Sequence, residues 1–85
     1  MDPMTHAVVQ FPRFDPKRTE QFLLSLPGVL DASVWVRDEA LKAHVTVDAF
    51  AELNDKELQT ACLDALGLHQ VPRQIVMLRA HPLAA

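Results

Sequence analysis

A single cysteine, Cys62, among 85 residues rules out an intramolecular disulfide and suits a reducing compartment. Only two glycines are present, so no glycine-rich loop can bring backbone close to a phosphate. Basic residues are outnumbered: eight Lys and Arg against eleven Asp and Glu leave a net charge of −3. That balance argues against a nucleic-acid binder, whose affinity rests on neutralising phosphates. Long apolar runs are missing too. The longest uncharged apolar stretch, Phe22–Leu30, contains Pro27 and Gly28 and is too short to span a bilayer. The N-terminus carries Asp2, Pro3 and His6 and has no apolar signal-peptide core. These absences predict a soluble, cytoplasmic protein that contacts neither membrane nor nucleic acid. Met1-Asp2-Pro3-Met4 reads as a cloning remnant ahead of a start at Met4. Residues 1–5 are therefore expected to be disordered, 6–82 to form one domain and 83–85 a tail.

What is present is an ordinary globular composition, 49% hydrophobic and 22% charged. A chain of this length buries roughly 60–70% of its unfolded surface, enough for one modest core. The hydrophobic periods come in a definite order. An alternating run at His6–Phe11 precedes a helical run at Pro16–Leu26. Alternation returns at Val29–Val36 and Ala40–Val47, a second helical run covers Asp55–Leu66, and Gln74–Leu78 is extended. Strand-helix-strand-strand-helix-strand predicts an α+β, ferredoxin-like βαββαβ sandwich. The expected sheet is four-stranded and antiparallel, in order 4-1-3-2, with both helices on one face.

Local signals support each element. Asp15 is a good N-cap with Pro16 at the first helical position. Thr19, Phe22, Leu23 and Leu26 form the apolar stripe of that helix, and Pro27-Gly28 stops it. The middle two strands alternate cleanly. Leu30, Ala32, Val34 and Val36, with Leu41, Ala43, Val45 and Val47, make the dry face, and Asp31, Ser33, Trp35, Arg37, Lys42, His44, Thr46 and Asp48 the wet one. The connection Arg37-Asp38-Glu39-Ala40 has no glycine, which predicts a longer loop on a type I turn over a tight primed turn. Asn54 and Glu57 form a capping box with Leu53 stapling to Leu58. Leu58, Ala61, Cys62, Ala65 and Leu66 make the second helix's apolar face, and Gly67 supplies a left-handed C-terminal residue.

Two surfaces emerge as candidates. One end of the expected sheet gathers Arg13, Lys17, Arg18, Arg37 and Arg73, with His69 nearby; the opposite end holds Asp31, Asp48, Glu52, Asp55 and Glu57. The basic end, beside the free N–H groups of the first helix, could receive a small anionic ligand. The other surface is the helix-free sheet face, with Val8, Trp35, His44 and Thr46 plus either Ile75 and Met77 or Val76 and Leu78. A tryptophan among aliphatics there suits a protein partner or a second copy. Reactive chemistry is scarce. Cys62 falls on an apolar stripe and reads as an inert core thiol. His6 and His44 lack a third ligand for a metal site. No carboxylate pair has a catalytic spacing, and the third strand lacks RNA-stacking aromatics.

From Leu26 to Pro82 the chain resembles the C-terminal subdomain of acyl-adenylate-forming ligases such as acyl-CoA synthetases. Leu26-Pro27-Gly28-Val29, Asp31-Ala32, Val34, Ala43, Val45, Glu57-Leu58, Val71-Pro72-Arg73 and Pro82 carry the resemblance. In that family the stretch leads into P-x-T-x-x-G-K, whose lysine helps make the acyl-adenylate; here Leu83-Ala84-Ala85 follow Pro82. The resemblance thus implies an accessory to an adenylating enzyme, without a catalytic residue of its own. The layout, size and Pro27-Gly28-Val29 are also similar to heavy-metal-associated domains. Their Cys-x-x-Cys metal loop is replaced here by Pro12-Arg13-Phe14-Asp15-Pro16-Lys17-Arg18, whose positive charge and lack of thiols argue against Cu(I) binding of that kind. The functional expectation is a small non-enzymatic module, without cofactor or metal, that binds a protein partner or itself through the open sheet face. Its alternatives are an anionic-ligand sensor at the basic end and a trans-acting accessory of an adenylating enzyme.

Overall fold

In a computed structural model, residues 14–80 are described. Helix α1 (Pro16–Leu24) is followed by strands β1 (Val29–Arg37) and β2 (Ala40–Val47), helix α2 (Asp55–Leu66), a 3-10 turn (Leu68–Gln70) and strand β3 (Gln74–Arg79). The expected first strand, His6–Phe11, lies outside the described residues, as do Val8 and Arg13. α1 begins where Asp15 accepts the Arg18 N–H on its carboxylate, with Pro16 at the first helical position. α2 begins with the expected capping box: the Asn54 side chain accepts from Glu57 N–H at 2.8 Å and the Glu57 carboxylate from Asn54 N–H at 3.1 Å.

The sheet is mixed, and its order is β1-β2-β3. β1 and β2 form the expected antiparallel hairpin. β3 then lies directly beside β2, in parallel, with Ala43 opposite Ile75 and Val45 opposite Met77. This corrects the ferredoxin-like expectation. In the 4-1-3-2 order the first strand separates these two, and every neighbour is antiparallel. Here β2, α2 and β3 form a parallel crossover unit, and the hydrogen-bonding edge of β2 that the first strand would use is taken by β3. α1 and α2 both cover one face. Leu23 of α1, and Leu58 and Cys62 of α2, close over Val29, Ala32, Ala43, Val45, Val47 and Ile75.

Four local departures from the expected pattern stand out. A bulge between Val29 and Asp31 shifts the phase of β1. Val29 is thereby turned into the core and Leu30, expected to be dry, is 55% exposed. The hairpin connection is the tight turn that its lack of glycine argued against. Arg37 pairs with Ala40, and the two residues between, Asp38 and Glu39, take φ values of 54° and 61°. That is a primed turn, whose twist matches the flanking strands. Finally, Gly67 has φ 97° and ψ 167°, a region open essentially to glycine alone but not the left-handed helical one. With the helix turned so that Leu58 and Cys62 point inward, Ala65 is exposed.

Candidate functional site

The uncovered sheet face is built from alternate residues of three strands. Trp35 and His44 meet edge to face, ring centroids 4.9 Å apart at 84°, across the diagonal of the β1–β2 ladder. Lys42, opposite Trp35, donates from Nζ to Gln74 Oε1 at 3.2 Å. Val76 and Leu78 are the β3 residues on this face, 40% and 47% exposed, while Ile75 and Met77 turn to the helices. Thr46 lies between Asp31 and Leu78. A shallow hollow of about 390 Å³ is lined by Trp35, Arg37, Asp38, Lys42, His44 and Val76, among others. Of the expected face, Trp35, His44 and Thr46 are therefore brought together.

The basic residues do not converge in the same way. A larger groove of about 540 Å³ between α2, the 3-10 turn and the hairpin end is walled by Leu63, Leu68, Val71 and Pro72, with Arg73, His69 and Glu39 also lining it. Arg73 lines this groove, Arg37 lines the hollow on the open face, and Lys17 and Arg18 line neither. At the start of α1, the Asp15 carboxylate already accepts a free N–H. Gln70, 5% exposed, holds that start in place. Its Oε1 accepts from Asp15 N–H at 2.9 Å; its Nε2 donates to Asp15 O at 2.9 Å and Thr19 Oγ1 at 3.1 Å. The Thr19 hydroxyl in turn donates to Gln70 O at 3.0 Å. Every polar atom of this buried amide is thus partnered, and the clasp ties α1 to the segment entering β3.

Chemically reactive groups are few among the described residues. Burial pushes the Cys62 thiol up to about 11, so it stays protonated at neutral pH and is a poor nucleophile or ligand. No group of three His, Cys, Asp or Glu side chains is placed to hold a metal ion among the described residues. No helix among them is long and apolar enough to cross a membrane.

One feature escaped sequence reasoning. Phe50, in the loop after β2, is 83% exposed, and the loop that carries it is heavily braced. Asp48 N–H donates to Gly28 O at 2.8 Å, Phe50 N–H to Asp48 Oδ1 at 2.9 Å, and Ala51 N–H to Asp48 O at 3.0 Å. From β3, the Arg79 guanidinium donates to the carbonyls of Asp48, Ala49 and Ala51, the last at 2.6 Å. The Asp48-x-Phe50 spacing was the available signal, since an aspartate commonly accepts from the N–H two residues on.

No protein-family model matches the chain, and no curated protein does. Solved structures do. A point mutant of the amide bond synthetase McbA from Marinactinospora thermotolerans aligns over 79% of this chain and 15% of its own, at 33% identity and a TM-score of 0.67. An acyl-CoA synthetase from Brucella canis aligns over 74% of this chain and 13% of its own, at 31% identity and a TM-score of 0.66. O-succinylbenzoate coenzyme A synthetase from Bacillus subtilis covers 81% and 14%, at 26% identity and a TM-score of 0.66. The chain therefore spans about 15% of the length of the structures it matches. The resemblance to the C-terminal subdomain of acyl-adenylate-forming ligases holds in three dimensions.

Proposed function

We propose that this chain is an adenylating-ligase C-terminal-type module that works by docking against an adenylation domain, without supplying a reactive group. The observation that carries this reading is the alignment of about four fifths of the chain, at 33% identity, with a small part of an amide bond synthetase. Supporting it, the loop after β2 is braced by Asp48 and Arg79 and one sheet face lies opposite the helices. The test is titration of the purified chain with an adenylation domain encoded in the same or a neighbouring reading frame. Saturable one-to-one binding, with a changed rate of ATP–pyrophosphate exchange by that domain, is expected. Absence of both at 100 µM overturns the reading.

A second reading is favoured by the Trp35–His44 contact and by the cations Arg37 and Lys42 beside it. On it the open sheet face takes a protein partner or a second copy of the chain. Trp35 is the only tryptophan, so its emission reports directly on that face. Trp35→Ala should abolish association and leave the melting transition intact; unchanged association refutes this reading.

A further inference from the structure

Of the apolar side chains that the fold leaves exposed, Phe50 stands apart in two independent ways. It is the most exposed large apolar side chain among the described residues, and it is presented on a loop fixed from three directions: Gly28 before β1, its own Asp48, and Arg79 at the end of β3. Ordering an arginine side chain costs conformational entropy. Here that ordering serves a loop that buries no aromatic of its own. An aromatic held rigid before its partner arrives is the arrangement that makes an interface anchor, because little freedom is then lost on association.

The surroundings of Phe50 define what it would meet. Asp48 and Glu52 flank it in the chain, and Asp55, Glu57 and Asp31 share its end of the sheet. Two cations share that end: Lys56, and Arg79, which is engaged with the loop carbonyls. Leu30, pushed outward by the β-bulge, adds apolar surface there. We infer that Phe50 is an anchor that inserts into an apolar pocket rimmed by Lys and Arg on the adenylation domain, with the carboxylates around it meeting that rim. This inference rests on the docking reading above and names the surface that docks. The apolar-walled groove among the described residues is lined by Glu39, of like charge to the acidic ring, as well as by Arg73 and His69, so a second copy is the alternative occupant that the test separates.

The test uses the full chain and the same adenylation domain, with affinity read by calorimetry. Phe50→Ser should weaken binding at least ~30-fold, about 2 kcal/mol at 1.4 kcal/mol per tenfold. Phe50→Leu, which keeps an apolar knob, should lose only a fewfold. Leu68→Ser, at the far end of the sheet, should bind as wild type does. Raising NaCl from 50 to 500 mM should weaken binding severalfold, through screening of the acidic ring. Because Phe50 is outside the core, all these variants should melt as the wild type does. Wild-type binding with Phe50→Ser within threefold of it overturns the anchor and leaves the docking reading standing. No wild-type binding overturns both. Phe50-dependent self-association of the chain alone makes a second copy the occupant and overturns the inference as well.

Discussion

Replacing Glu39 by glycine should stabilise this domain, although the substitution removes a whole side chain. Asp38 and Glu39 occupy the two central positions of a primed turn with φ of 54° and 61°. A residue with a Cβ loses about 1–2 kcal/mol in the left-handed region, and glycine escapes that loss. Against it stands the greater freedom of glycine in the unfolded chain, about 0.4–1 kcal/mol. Glu39 is exposed, so little packing disappears with it. The net gain is about 0.5–1 kcal/mol, or a rise of roughly 2–8 °C in a domain of this size. Asp38→Asn should gain less, since aspartate and asparagine both tolerate this conformation through local hydrogen bonds. Glu39→Val should move in the opposite direction by about 1 kcal/mol or more, because a β-branched side chain is worst suited to positive φ. Thermal and urea melts followed by far-UV dichroism measure all three. A Glu39→Gly domain no more stable than wild type, together with a tolerated Glu39→Val, would refute the strain argument.

Three further perturbations separate other forces. A Cβ on Gly28 (φ 91°) would sit 3.0 Å from Ala51 Cβ, whereas one on Gly67 (φ 97°) meets nothing within 4 Å. Gly28→Ala therefore combines strain with a clash and should cost about 2–4 kcal/mol, and Gly67→Ala strain alone, about 1–2 kcal/mol; urea midpoints give the ranking. The Cys62 thiol is raised from 9.0 to about 11 in the folded chain, so the folded state favours the neutral form. Its contribution is complete below pH 9 and is lost as pH rises through 11, amounting to about 2–3 kcal/mol; a Cys62→Ala chain should lack this alkaline loss in urea melts at pH 8 to 11. Gln70→Ala removes a buried amide that partners Asp15 and Thr19 and should cost about 2–3 kcal/mol, with amide-exchange protection lost first at the start of α1.

The parts of the fold legible in the sequence were those decided by neighbouring residues. Asp15-Pro16 and Asn54-x-x-Glu57 place helix starts within one residue, because a cap is a contact over three positions. The alternation of Leu41, Ala43, Val45 and Val47 predicts the buried face of β2 because that strand has a dry side and a wet one. The partner of β3 was not legible. In Gln74–Leu78 both alternate sets are apolar, so the period does not say which faces inward, and nothing local tells a strand whether its neighbour runs with it or against it. The bulge at Leu30 and the turn at Asp38-Glu39 failed for a related reason. Each is a local conformation imposed by the pairing of whole strands, which outweighs the preference of one or two residues. For the candidate site, Trp35, His44 and Thr46 were placed on one face by alternation alone, whereas the basic residues grouped by end prove to line separate surfaces.

Several side chains reach far along the chain to bond backbone. Gln70 clasps the start of α1, Gln59 donates to the carbonyls of Pro72 and Arg73 ahead of β3, and Arg79 braces the Phe50 loop. Gln70 and Gln59 hold segments at the hairpin end, and Arg79 holds the opposite end. These bonds fix segments at the two ends of the sheet, buried at Gln70 and exposed at Arg79. That distribution suits surfaces held ready for a partner, as the proposed docking requires.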